Sequence, residues 1–202
     1  MIDQSKWEPT DPSGWGPEID LSGDPWDAAA KFDNELNSIK ANSTQATMLE
    51  PLGHHLGTLG EYTVALSPFG RRFGLKVNTE VHAEGDGYFD FTKYQITMDS
   101  KATTHFDKPW LREMIDAKKH ADFFILVALD MKRQIGQIRG WTPKSILIRR
   151  ATWLYVADKE DRYFGKRYVI KHWNDKDQCW DKRIRPISEL EAILMEAAKE
   201  VA

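Results

Sequence analysis

The run Ala121-Asp122-Phe123-Phe124-Ile125-Leu126-Val127-Ala128-Leu129 constrains this chain more than any other stretch. A continuous apolar run of that length reads as a strand buried on both faces, as in a covered α/β sheet. Met131-Lys132-Arg133 turns the chain, and residues 134–141 pair back, with Ile135 and Ile138 as apolar contacts and Gly140-Trp141 at the end. Thr142-Pro143 then caps a short helix or turn. At 202 residues the chain is one domain by the usual prior of about 100–200 residues, long enough for a good core.

The second informative stretch is 85–101, which reads as a β-hairpin. Strand side chains have period two. Phe89 and Phe91 therefore point one way, and Tyr88, Asp90 and Thr92 the other. In the second arm Ile96 and Met98 share one face, and Thr97, Asp99 and Lys101 the opposite one. A short turn around Tyr94-Gln95 sets Asp90 directly opposite Asp99, with Lys101 one step along the same face. Like charges facing each other across a ladder destabilise it. A bound divalent cation would remove that penalty, and Mg²⁺ is typically held by one or two carboxylates plus substrate phosphates. Asp86, four residues earlier in a Gly-Asp-Gly turn, is the rival to Asp90, whose apolar neighbours fix it in the strand. Thr103, Thr104 and His105 form a polar exit from the second arm.

Around these two features the chain alternates helices and strands. Residues 1–24 are rich in Pro, Gly, Asp and Ser and read as an irregular arm carrying Trp7 and Trp15. Asp24-Pro25 opens a helix over about 25–40, its buried side Trp26, Ala30, Phe32, Leu36 and Ile39. A second helix spans about 51–67, lined by Leu52, Leu56, Leu59 and Val64. Its glycines Gly53, Gly57 and Gly60 lower its propensity and permit close approach of another backbone. His54 and His55 read as surface residues on it. The alternation Phe73, Leu75, Val77, Thr79 predicts a strand from 73 to about 81. Pro109 predicts a short helix to about 118. Paired strands are expected over 153–156 and 168–173, and a final amphipathic helix after Pro186, with Leu190, Ile193, Leu194 and Ala197 inward.

Net charge is −3, so any nucleic-acid binding must use a local patch. Candidates flanking the acidic hairpin are Arg71, Arg72, Lys118, Lys119, Arg149 and Arg150. The single cysteine, Cys179, excludes an internal disulfide and a four-cysteine metal site within one chain, and points to a reducing, cytoplasmic compartment. No signal peptide and no apolar run near 18 residues is present, so no membrane span is expected.

Asp90 followed by Asp99-Ser100-Lys101 resembles the PD-(D/E)XK nuclease superfamily, with Phe89 standing where the name-giving proline would be. The order of elements over about 50–145 is similar too: helix, strand, hairpin, helix, buried strand, strand ending in Ile-Arg-Gly-Trp. The resemblance implies an α/β fold with a restriction-endonuclease-like core, a central mixed sheet flanked by helices. The N-terminal arm and helix and the C-terminal strands plus helix would be additions to it. It also implies a metal-dependent DNA nuclease using Mg²⁺, with Mn²⁺ as a substitute. Asp90 and Asp99 would be ligands, the Ser100 carbonyl a further one, and Lys101 the cation beside the phosphate. Glu61, in a Gly-Glu context on the preceding helix, matches a further carboxylate of the family. The alternative is a catalytically inactive DNA-binding or protein-interaction module on the same fold. The region 146–202 could close a sheet edge, help to hold DNA or form a homo-oligomer.

Overall fold

The computed structural model describes residues 12–41, 51–77, 90–114, 121–150, 152–156 and 165–201. In chain order the elements are β1 (Glu18–Asp20), α1 (Asp24–Ala41), α2 (Pro51–Leu66), α3 (Pro68–Phe73), β2 (Phe91–Lys93) and β3 (Ile96–Thr103). Then come β4 (Trp110–Met114), β5 (Phe123–Asp130), β6 (Ile135–Pro143), α4 (Lys144–Arg150) and β7 (Thr152–Val156). The chain finishes with β8 (Gly165–Lys171), β9 (Trp173–Asn174), β10 (Cys179–Trp180) and α5 (Ile187–Val201). Among the described residues no helix is long and apolar enough to cross a membrane.

The fold is α/β, a curled mixed five-stranded sheet flanked by helices. Its strand order is β1-β6-β5-β3-β2, with only the β3–β5 pair parallel. β5 is the strand expected to be buried on both faces, and residues 124–129 are all buried. Ile125, Val127 and Leu129 enter a core with Leu59 and Val64 of α2, Phe69 and Phe73 of α3, and Leu190 and Leu194 of α5. Phe124 and Leu126 enter a second core on the opposite face, with Leu111 of β4, Leu147 of α4 and Ile170 of β8. A three-stranded sheet, β4-β8-β7, covers that second face with α4.

Three stretches differ from the sequence expectation. Residues 68–73 form α3, so a strand does not begin at Phe73. Ser67 Oγ accepts from the Gly70 N–H, Pro68 pre-sets the first turn, and Gly74 closes the helix at φ 64°. With both ends capped, Phe69 and Phe73 lie one helical turn apart and both are buried, which outweighs the alternation. Residues 74–77 are a turn and irregular chain instead of strand, and the remainder of the expected strand, 78–81, lies outside the described residues. Residues 110–114 form strand β4, not a helix, because they pair along β8 from Trp110↔Lys171 to Met114↔Arg167. The arm is not wholly irregular either: β1 adds an edge strand to β6, and the Gly16 N–H donates to the Ile138 carbonyl at 2.9 Å.

Helix α2 lies unusually close to the sheet. A Cβ on Gly60 would meet Ala102 Cβ of β3 at 2.9 Å, and one on Gly136 of β6 would meet Thr63 Oγ1 of α2 at 2.0 Å. The first is the close approach expected of the helix glycines and the second depends on a strand glycine, whereas a Cβ on Gly57 of α2 would have nothing within 4 Å. We predict that Gly136→Ala lowers stability by about 1–3 kcal/mol through overpacking. Thr63→Ala removes Oγ1 and Cγ2 from that contact, so the cost of Gly136→Ala should shrink in its background. Chemical denaturation of the four proteins of the cycle measures this; equal costs in both backgrounds would show that the contact does not limit the packing.

Candidate active site

The turn between β2 and β3 is Tyr94-Gln95, as expected, with both residues at positive φ, 50° and 62°. Two consecutive residues of that kind make a tight two-residue hairpin turn whose twist suits the flanking strands. The pairing Phe91↔Met98 is the last of the β2–β3 ladder on this side. Beyond it the strands part. β3 continues to Thr103, bonded to β5 on one edge, and among the described residues no strand pairs with its other edge past Met98.

Asp90 sits at that fork, one residue before β2. It does not stand directly opposite Asp99 inside a strand, as the alternation suggested. Its Oδ2 accepts from the Ser100 N–H at 2.6 Å and from Ser100 Oγ at 2.5 Å. Two donors on one carboxylate oxygen hold Asp90 at the edge of β3 away from β5 and relieve the like-charge opposition. In a strand, the N–H and C=O of one residue project to the same side. The Ser100 carbonyl therefore faces the same edge as the N–H that Asp90 holds.

Alternation then divides β3. Met98, Ser100 and Ala102 face α2, and Gly60 packs against Ser100 and Ala102. Asp99 and Lys101 face the other way, with Lys101 Nζ 2.6 Å from Asp99 Oδ2 and 6.0 Å from the Phe124 ring. Glu61 follows Gly60 on α2, near enough to respond to the charges of Asp90, Asp99 and Lys101. Burial pushes its carboxyl up to about 9, and the charges of Asp90 and then Asp99 push in the same direction, with Lys101 opposing. Glu61, Asp90, Asp99 and Lys101, named from the sequence, thus act on one another in space. Their local environments explain why: a close-packed helix, a two-residue turn, and a strand with one released edge.

Asp86, Lys118 and Lys119 lie outside the described residues, as do the side chains of His54, Arg149 and Arg150. Arg71 and Arg72 are exposed on α3 and are not brought to the acidic group. Arg71 lines a hollow with Glu18, Ile19 and Asp20 at β1, the far edge of the sheet, and Arg72 pairs with Glu191 of α5 at 3.3 Å. His55 lies edge-on to Trp26, ring centroids 5.1 Å apart.

One residue of this region escaped the sequence reading. Arg139 is buried, with its guanidinium 3.6 Å from the Trp15 ring and 4.4 Å from the Phe106 ring. Its Nη2 donates to the Phe106 carbonyl at 2.6 Å. Burial lowers its pKa to about 10 against the pull of Asp107 and Glu18. It ties the N-terminal arm to the loop leaving β3. The pairing register shifts between Leu126 and Val127, where Gly140 and Ile138 are the successive partners and Arg139 falls between them. A lone arginine before a glycine carries no sequence signal of that irregularity.

Comparison with family models, with curated proteins and with solved structures finds no match to this chain.

The raised Glu61 pKa has a consequence for stability. Below pH of about 4.5 the carboxyl is protonated in both folded and unfolded chains. Above it the unfolded chain releases the proton and the folded one keeps it, so stability falls as pH rises towards about 9. We predict that, in chelator, the melting temperature of the wild type falls between pH 5 and 9 more steeply than that of Glu61→Gln. Parallel pH profiles for the two proteins would show that Glu61 ionises normally.

Proposed function

We propose that this chain is a divalent-cation-dependent nuclease hydrolysing phosphodiester bonds of DNA, on a restriction-endonuclease-like core of the PD-(D/E)XK kind. One observation carries the reading. Glu61 on a helix, Asp90 at a fork and Asp99 on a strand act electrostatically on one another and on Lys101, and burial first, then the charges of Asp90 and Asp99, raise the Glu61 carboxyl to about 9. A carboxyl perturbed by burial together with specific charged neighbours is a functional-site signature. All donors are oxygens, which suits hard cations such as Mg²⁺ and Mn²⁺.

Asp90, Asp99 and the Ser100 carbonyl would hold the cation, with Glu61 joining directly or through water. Bound there, it supplies Lewis-acid stabilisation to the phosphate and acidifies water. Lys101 brings a compact positive charge to the same face as Asp99, where it stabilises charge developing on the phosphate. The close packing of α2 keeps Glu61 near, and Ser100 orients Asp90.

An inactive DNA-binding or interaction module is the second reading. The observation favouring it is internal satisfaction: Asp90 is held by Ser100 and Asp99 by Lys101. Among the described residues, no three His, Cys, Asp or Glu side chains stand together as a ready-made metal group.

Single-turnover cleavage of linear, flap and junction DNAs separates the two. Mg²⁺ should support cleavage and excess chelator abolish it. Asp90→Ala and Asp99→Ala should each abolish cleavage while DNA binding survives. Lys101→Met should keep calorimetric Mg²⁺ affinity and lose roughly 10²–10³-fold in rate, the scale of removing one electrostatic contact to a transition state. Full cleavage in chelator, or wild-type rates in both aspartate variants, would sink the nuclease reading.

A further inference from the structure

We propose that the outer face of the β4–β8 pair, where it meets the loop leaving β3, is a binding track for an unpaired DNA strand. For its chemistry the track rests on the nuclease reading; its geometry is independent of it.

The strand register sets Trp110 against Lys171. The ladder extends one step further, the His172 N–H donating to the Pro109 carbonyl at 3.0 Å. Side chains alternate along both segments. Pro109 and His172 turn inward and are buried. Lys108, Trp110, Lys171 and Trp173 therefore share the outer face, and cation and indole alternate across it. Lys171 Nζ lies 4.8 Å from the Trp110 ring, and Lys108 Nζ lies 5.9 Å from the Trp173 ring. His105 stacks on Trp110, centroids 5.1 Å apart and planes 21° from parallel. His105, Lys108 and Lys171 are exposed, and the two indoles are half-buried.

Cross-strand cation–aromatic pairs hold two strands together, but that role asks for neither an exposed stacked histidine nor two such pairs side by side. Rings with adjacent lysines are what single-stranded nucleic acid uses: bases stack on ring faces and phosphates meet the cations. A duplex hides its base faces except at its ends, so the track favours unpaired strand. Position supports the assignment. His105 is four residues past Lys101, which puts the two at most roughly 13 Å apart. A strand stacked at His105 would run towards the acidic edge. Asp175 pairs with Lys108 at 2.6 Å and competes for that cation.

The test uses the full chain in chelator, with a fluorescein-labelled oligo(dT) of about 20 nucleotides and a blunt duplex of equal length, read by anisotropy. The wild type should bind oligo(dT) more tightly than duplex. His105→Ala and Lys171→Gln should each weaken oligo(dT) binding, roughly 5–50-fold for a lost stacking contact, with duplex binding little changed. Lys171→Gln should also flatten the salt slope by about 0.7. Asp175→Asn should tighten oligo(dT) binding, a direction that a merely structural role for the pair does not give. Wild-type oligo(dT) affinity in all three variants would overturn the track, as would equal losses on duplex. If the wild type cleaves DNA with Mg²⁺ while the variants bind normally, the track fails and the nuclease reading stands. If the variants lose oligo(dT) binding and the wild type cleaves nothing, the track stands and the nuclease reading fails.

Discussion

The closeness of α2 to the central sheet is the constraint on which the candidate site depends. Gly60 has no side chain where one would meet Ala102 at 2.9 Å, and Gly136 has none where one would meet Thr63 at 2.0 Å. One contact sits over β3 and the other over β6, so the helix is pinned across the sheet. Glycine is a poor helix residue by about 1 kcal/mol, and here the packing it permits offsets that loss. The consequence is electrostatic. Glu61, next in sequence, is drawn into a half-buried place near two aspartates, where its charge is disfavoured by burial first and by its neighbours second. Local rules of stability are broken where function is most often found.

β3 turns that constraint into a site. Parallel pairing with β5 anchors one edge along its length from Met98 to Thr103, while β2 leaves the other edge after Met98. The released edge offers backbone groups to Asp90. The two faces carry different work: Ser100 and Ala102 accept the helix, and Asp99 and Lys101 present charge on the other side. The loop that follows is tethered by Arg139, whose guanidinium lies between Trp15 and Phe106. A buried arginine with aromatic faces on either side is a rigid tether, since the guanidinium is planar and stacks well. The arm, the loop and the β4–β8 platform are thereby held near one end of β3.

Much of the core was legible in the amino-acid order. The apolar run of β5, the period-two hairpin with its Tyr94-Gln95 turn, the shared face of Asp99 and Lys101, and the helix bearing Glu61 all rest on local periodicity, which a one-dimensional pattern records directly. Residues 68–73 and 110–114 were not legible in the same way. In the first, the expected alternation began at Phe73, but Ser67 and Gly74 cap a short helix that takes Phe73 as its last residue. In the second, Pro109 suggested a helix start, but pairing with β8, more than fifty residues away, decided for a strand. The charged candidates divide likewise. Arg71 and Arg72 seemed to flank the hairpin because they are near it in sequence, yet α3 takes them towards β1 and α5.

By itself, then, the sequence determined the element types wherever hydrophobic period and turn chemistry agree, and it determined that Asp99 and Lys101 share a strand face. Tertiary structure alone decided that Asp90 would turn onto Ser100, that Glu61 would be half-buried beside it, and that Arg139 would be enclosed by Trp15 and Phe106. It also decided that Lys108 and Trp173 would meet just past the end of the β4–β8 ladder. The reason is physical. Side-chain direction follows from backbone period and is local, whereas proximity between distant segments depends on how near two backbones can pack. In this chain that nearness depends on the missing side chains of Gly60 and Gly136, whose effect appears only when the facing strand and helix are in place.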